Sequence, residues 1–335
     1  MDKIEKIPKI NFFVQKILLN KVIFNYLFNV ETLIYNKFLN NNIRKPIFVM
    51  GMARSGTTFL TNILNQFKTV SSAEYKDMPF INIPLLWNLL SKFYYYKNKS
   101  YKRFHNDNIN INLTSPDSFE EIIWRNISEK KFGPNYKNFI NKILFLRKGD
   151  RYLAKNNYNI SRINTLKKIF PDCKILVIFR NPYETVKSLL KINNLIMEKK
   201  NFTEISDYLD LNGHNEFGNK KKFINPRNDA DYENKLSNLW KQRRYEEAYI
   251  LEWNEIYSNI LKNFIVKKDK NVHLINFENL LNEHESNLEK LCDFIELNPH
   301  NIEKVQIFKK STSRLNENLL YKDSVNIYKQ LLNFI

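Results

Sequence analysis

The stretch Pro46–Leu64, PIFVMGMARSGTTFLTNIL, constrains this chain more than any other. A short apolar run enters a compact polar turn, and the turn enters a second apolar segment. Two of only six glycines, Gly51 and Gly56, fall at this turn, among Arg54, Ser55, Thr57 and Thr58. The pattern predicts a strand, a turn of backbone N–H groups and a helix N-terminus. The N–H groups of a first helical turn have no partners within the helix, so such a turn receives an anion. A nucleotide-hydrolysing P-loop would close with Gly-Lys-Ser/Thr, the lysine on phosphate and the hydroxyl on magnesium. Here Arg54 precedes the glycine and two threonines follow it. Backbone N–H groups, hydroxyls and one guanidinium still suit a phosphate-like group.

The rest of the chain supplies a frame for this turn. PIFVMG reads as a buried strand. Phe59, Leu60, Ile63, Leu64 and Phe67 then recur at helical spacing. RYLAKN reads as a short strand and NISRINTLKKIF as a helix that the Pro171–Asp172 turn ends. KILVIF, apolar and β-branched from Ile175 to Phe179, suits a parallel strand covered on both faces. NPYETVKSLLK follows as a helix with Asn181 as N-cap, Pro182 at N1 and Glu184 at N3. NVHLINF is a further strand, and ENLLNEHESNLEKLCDFIEL a further helix. Residues 80–145 read as mostly helical. Residues 200–238 are polar and rich in turn signals, an insertion, a lid over a site or a surface excursion. Strands alternating with helices imply an α/β architecture with a parallel sheet.

Residues 1–44 read as a helical N-terminal extension packed on a single domain, 45–335. The extension holds many large apolar residues, but Lys and Asn interrupt them and no apolar run exceeds three. A membrane span needs about 20 mostly apolar residues, so packing on the core is expected, with contact to a membrane surface as the other reading. Two cysteines, Cys173 and Cys292, form no CxxC pair and no metal cluster. They fit a reducing compartment, and a cytoplasmic location is expected. The net charge of +18 points toward anionic partners. It is spread along a chain rich in Lys and Asn, which argues against a specific nucleic-acid site.

Two further positions belong with the anion turn. Arg180 stands at the end of the KILVIF strand, with Ser188 two turns into the next helix. Ligands of open α/β sheets bind at such strand ends, and Arg180 would hold a second anionic group. Lys155 follows a short strand and precedes a helix, at the same kind of boundary.

Together these residues resemble the sulfotransferase superfamily that uses 3′-phosphoadenosine 5′-phosphosulfate (PAPS), in its tyrosylprotein-like and bacterial branch. Arg54, Ser55, Gly56, Thr57 and Thr58 look like its 5′-phosphosulfate loop. Arg180 and Ser188 look like its 3′-phosphate pair, at the family's spacing. The segment from Lys155 to Arg180 is similar to a lysine-containing segment of that branch. FENLL is similar to the family's Tyr-Glu-Asp-Leu, with Phe277 at the tyrosine position and Asn279 at the aspartate position. The resemblance implies a P-loop-like three-layer fold with a central parallel sheet flanked by helices, PAPS as donor and a hydroxyl-bearing acceptor, a glycan first among them. It implies that Phe277 packs on adenine and that Arg54 and Lys155 act on the phosphosulfate. The catalytic histidine and C-terminal Arg-Lys-Gly element of the cytosolic branch are absent, and FKKSTSRL (308–315) is the candidate for the remaining 3′-phosphate contacts.

Sulfuryl transfer needs a base for the acceptor proton and cations for the leaving phosphate. Glu74, in VSSAEYKDMPF, stands where the resembling branch places a glutamate, and it is the expected base. Glu120, Glu121 and His105 are rivals. Ser118 as N-cap and Glu121 at N3 would form a capping box, which assigns Glu121 to structure. His273 alternates within a strand and reads as structural. No metal is expected to be required. The other classes are a P-loop kinase or related nucleotide-dependent transferase, and a non-catalytic anion binder supported by SKFYYYKNKSYKRF, where aromatics interleave with lysines.

Overall fold

In the computed structural model, residues 9–39, 42–93, 101–102, 110–127, 131–299 and 318–335 are described. Its centre is a five-stranded parallel sheet. In chain order the strands are β1 (Ile47–Met50), β2 (Val70–Ser71), a small antiparallel pair β3 (Tyr101–Lys102) and β4 (Asn110–Ile111), then β5 (Arg151–Lys155), β6 (Lys174–Phe179) and β7 (Val272–Asn276). The order in the large sheet is β2-β5-β1-β6-β7. β1 lies in the middle, with Val49 opposite Lys155 on one side and Met50 opposite Val177 on the other; Phe179 pairs with Asn276. Every residue of β1 and β5 is buried, as a strand covered on both faces requires. Because the strands are parallel, the residues that follow them gather along one edge.

The helices are α1 (Lys9–Leu18), α2 (Lys21–Tyr35), α3 (Thr57–Leu64), α4 (Pro84–Ser91), α5 (Glu120–Asn126), α6 (Phe132–Arg147), α7 (Ile163–Ile169), α8 (Pro182–Met197), α9 (Phe202–Leu211), α10 (Ala230–Lys241), α11 (Tyr245–Ile260), α12 (Phe277–Asn282), α13 (His284–Ile295) and α14 (Lys322–Leu332). They cover both faces of the sheet. On one face Phe59, Leu60 and Ile63 of α3 meet Leu176, Ile178 and Leu291. On the other, α6, α8 and α11 bury Phe139, Val186 and Trp253 in the larger core.

The N-terminal helices pack on that larger core. Asn20 caps α2 by accepting from the Val22 N–H, and Phe24 and Phe28 are fully buried. A buried ion pair fastens α2 to α6: Lys142 Nζ lies 3.1 Å from Glu31 Oε2, donates to the Phe28 carbonyl at 2.9 Å and sits 3.8 Å above the Phe28 ring. Burial pulls the Lys142 pKa down to about 8, against the pull of Glu31. Among the described residues no single helix is long and apolar enough to cross a membrane. Phe12–Leu18 and Lys21–Tyr35 approach that length only together, and they are bent 69° to each other.

Several local expectations hold. Asn181 caps α8, its side chain accepting from the Glu184 N–H at 3.3 Å with Pro182 in the first turn. Others need correction. Within the polar residues 200–238 lie α9 and the start of α10, which their turn signals had masked. NISRINTLKKIF opens as a 3-10 turn, Asn157–Arg162, before α7. The helix predicted after β7 is two helices that part at Glu283. Ser118 and Glu121 form no capping box: Phe119 stands at the N-cap of α5 without a side-chain bond, Ser118 Oγ donates to the Lys155 carbonyl and Glu121 turns to Arg162. The capping box belongs instead to Glu74 and Asp77, at the short turn Tyr75–Asp77.

Candidate active site

The carboxyl edge of the sheet collects the residues that the sequence singled out. β1 runs into the loop from Gly51 to Gly56, β5 ends at Lys155, and Arg180 and Phe277 directly follow β6 and β7. Gly51 is required by close approach, since a Cβ there would lie 2.3 Å from the Ile178 carbonyl oxygen. Arg54 at φ 71° and Gly56 at φ 103° adopt the left-handed conformation, which curls the loop's backbone before α3 begins. A Cβ on Gly56 would also meet the Phe277 ring at 2.2 Å. Ser55 is fully buried beside the Tyr257 hydroxyl and Thr57 is nearly so, leaving Arg54, Gly56 and Thr58 as the loop's more open positions.

Arg54, Arg180 and Ser188 come together. Arg54 Nε donates to Ser188 Oγ at 3.0 Å, and Arg180 Nη1 reaches the Arg54 carbonyl at 3.5 Å. The Arg180 guanidinium lies 5.2 Å from the centre of the Phe277 ring. It makes long ion pairs with Glu184 at 3.7 Å and Glu278 at 3.9 Å, and its Nε is buried without a hydrogen bond. Burial is the largest influence on Arg180 and lowers its pKa, yet a guanidinium stays charged at neutral pH. A half-buried cation whose ion pairs are this long suits an anion. Phe277 therefore touches both parts of the edge: the loop through Gly56 and the second cation through Arg180. Its ring also meets Phe59 edge-on at 6.0 Å.

Lys155 is buried and ion-paired, its Nζ 2.9 Å from Asp117 Oδ1. Asp117 also accepts from the Tyr75 hydroxyl and the Ser118 N–H. Glu74 lies next to this group through a bridge with Pro116. Its carboxylate meets Lys76 at 2.7 Å and Arg147 at 3.1 Å, with the side chain 12% exposed. Burial raises its pKa above the ordinary glutamate value, against the opposing charges of Arg147 and Lys76.

The rival carboxylates are held differently. Glu120 is buried and accepts from the Tyr136 and Tyr152 hydroxyls, and burial pushes its pKa up to about 7. Glu121 is also driven upward by burial, but the hydrogen bond and charge of Arg162 outweigh this and hold its pKa below the usual value. His273 stacks on Phe294 within β7, at 4.8 Å. His105, most of the aromatic–lysine tract and residues 308–315 lie outside the described residues.

The sulfotransferase family model matches residues 46–214, half of the chain and all of the edge from β1 to α9. The chain belongs to the sulfotransferase family. Among solved structures, sulfotransferase STF9 from Mycobacterium avium superposes with a TM-score of 0.56 at 12% identity, over 94% of this chain and 83% of that one. Sulfotransferase STF1 from Mycobacterium tuberculosis H37Rv follows at 0.49 and 11%, over 87% and 77%. The sulfotransferase from Alicyclobacillus acidocaldarius gives 0.42 and 14%, over 87% and 94%. A search of curated proteins finds no match. The likeness to the M. avium structure is one of fold; the family places the chain among enzymes that move a sulfuryl group from a sulfonate donor.

Three residues of the sulfotransferase edge were not singled out from the sequence. Asp117 neutralises Lys155. Tyr257 of α11 accepts from the Met52 N–H at 3.1 Å and donates to the Ile178 carbonyl at 2.9 Å, so one hydroxyl pins the loop to β6. Glu278 accepts from the Asn181 N–H at 3.0 Å and from Asn276 Nδ2 at 3.0 Å, which fixes the backbone just after Arg180. Glu278 lay inside the FENLL segment, so its sequence signal was present; Asp117 and Tyr257 carried none.

Proposed function

We propose that this sulfotransferase takes its sulfuryl group from PAPS and delivers it to a hydroxyl, a glycan being the expected acceptor. The observation that carries this reading is the meeting of two guanidinium groups beside the sheet's carboxyl edge, Arg54 bonded to Ser188 and Arg180 reaching the Arg54 carbonyl. One donor with two separate anionic ends suits that pair. The residues fit such a group: the Phe277 ring packs directly against Gly56 of the loop, and the buried Arg180 Nε lacks a hydrogen bond.

PAPS, when bound, supplies a sulfuryl group on a phosphosulfate anhydride. Arg54, Thr58 and the N–H groups opening α3 would hold the 5′-phosphosulfate, with Ser55 and Thr57 shaping the loop from beneath. Arg180 and Ser188 would hold the 3′-phosphate, and Phe277 would border the adenine. Lys155 stands ready to offset charge on the phosphate oxygen, oriented by Asp117. Glu74 takes the acceptor proton; the rise in its pKa from burial brings its basicity closer to that task. The polar groups beyond Lys155 support a sugar. Asn156 donates to Glu121 at 3.0 Å, Asn157 donates to Glu216 at 2.9 Å, and Glu216 Oε2 is buried without a hydrogen bond.

Incubation with labelled PAPS and a panel of glycan, lipid, small-molecule and tyrosine-peptide acceptors tests the reading. Label is expected on a glycan hydroxyl, in the presence of a chelator as well as in its absence. Glu74→Gln should lower that transfer by roughly 10²–10⁴ with product-nucleotide binding nearly intact. Full activity in Glu74→Gln would return Glu74 to a purely structural capping role, and no transfer from PAPS to any acceptor would overturn the donor.

A further inference from the structure

The outer face of the N-terminal helices is apolar where a surface helix is ordinarily polar. Along α2, Val22 is 77% exposed, Tyr26 68% and Leu33 80%. These positions recur at helical spacing, so they form one stripe. Phe38, just past the helix, is 65% exposed. The Leu86 N–H of α4 donates to Glu31 Oε1 at 2.8 Å, tying α4 to α2, and beyond that bond Leu90 and Phe93 are 54% and 88% exposed. Large apolar side chains held out in this number mark an interaction site.

The charges beside it have one sign. Lys16, Lys21, Lys37, Arg44 and Lys92 are exposed. Between residues 9 and 44 the sequence holds a single acidic residue, Glu31. Glu31 is turned inward, fully buried against Lys142. The outward face therefore offers large apolar groups and cations with no carboxylate of its own helices among them. That is the composition of a helix lying in the interface of an anionic membrane. A spanning role does not fit, because α2 keeps Phe24 and Phe28 in the core and the pair is bent by 69°. A second copy of the same face would set like charges against each other.

We propose that this outward face of α2, with the exposed cations of the N-terminal region, docks the enzyme on the surface of an anionic lipid bilayer. α2 lies against α5, and the Ser118 hydroxyl just before α5 donates to the Lys155 carbonyl. Docking would thus hold the catalytic edge close to the bilayer. The proposal goes beyond the donor reading and is read without donor or acceptor, so either can fail alone.

The full-length protein is mixed with vesicles of phosphatidylcholine, or of equal parts phosphatidylcholine and phosphatidylglycerol, and floated at low and high salt. Binding to the phosphatidylglycerol vesicles is expected to exceed binding to the neutral ones by about tenfold or more and to weaken with salt. The triple variant Val22→Ser, Leu33→Ser, Phe38→Ser removes exposed groups only. It should lose that binding about tenfold or more while its thermal midpoint stays near that of the unaltered chain. Should the triple variant fold poorly, Lys16→Gln with Lys21→Gln and Lys37→Gln provides the second arm, with the same loss expected. Equal binding to both vesicles, no binding to either, or retention in both variants would overturn the proposal. So would a concentration-dependent dimer that the apolar variant abolishes in the absence of vesicle binding.

Discussion

Replacing Glu120 by Gln should make the protein more stable at pH 8 than the unaltered chain, and this gain should shrink as the pH falls. Glu120 is wholly buried, and its pKa lies at about 7 instead of the usual 4.5. The unfolded chain releases this proton near 4.5 and the folded chain near 7, so between these values the folded state binds more protons. Its contribution to stability is full below pH 4.5 and is lost as the pH rises through 7. A shift of about 2.5 pH units corresponds to about 3 kcal/mol, of which about 2.5 kcal/mol falls between pH 5 and pH 8. Gln keeps the acceptor oxygen for the Tyr136 and Tyr152 hydroxyls. Its amide meets Asn159, whose Oδ1 is buried without a hydrogen bond and accepts once that amide turns over. Urea unfolding of both proteins at pH 5 and pH 8 measures the difference, in which all other titrations cancel. Parallel profiles, with a difference that does not change across this range, would refute the reasoning that burial keeps Glu120 neutral.

Two further changes test how the loop and the lysine are held. Tyr257→Phe deletes the hydroxyl between Met52 N–H and the Ile178 carbonyl; it should destabilise by about 1–3 kcal/mol in urea titration and weaken nucleotide binding measured by calorimetry. Asp117→Asn leaves the buried Lys155 ammonium without its carboxylate; transfer should slow more than nucleotide binding weakens, in a comparison of kcat with Kd, and stability should fall by about 3–5 kcal/mol.

The parallel sheet was legible because its signals are local. IFVM and KILVIF are short apolar runs that end in turn residues, and Asn181-Pro182 announces a helix. The loop at Arg54 was legible for the same reason, its glycines and hydroxyls being neighbours in sequence. What escaped depends on distant partners. Asp117 and Lys155 are 38 positions apart, and Tyr257 meets Ile178 across 79. The Ser118–Glu121 spacing matched a capping box, but Arg162 and Asn156 offered Glu121 a stronger set of partners, and that pull overrode the local pattern. α11 gives a weak amphipathic signal since its buried side is wide, reaching from Ala248 round to Ile250, and takes in the polar Glu252. The outward apolar stripe of α2 blurred its reading in the same way, because inward Phe24 and Phe28 and outward Val22 and Leu33 are alike in composition.

The central claim is that Arg180 and Ser188 hold a second anionic group on a nucleotide donor, and one binding comparison tests it. Isothermal calorimetry of the unaltered protein and of Arg180→Ala is run with 3′-phosphoadenosine 5′-phosphate and with adenosine 5′-phosphosulfate, which lacks the 3′-phosphate. A charge-assisted contact of this kind contributes about 1.5–3 kcal/mol, so Arg180→Ala should weaken the first ligand roughly ten- to a hundredfold and leave the second nearly unchanged. Equal losses for both ligands would contradict the account.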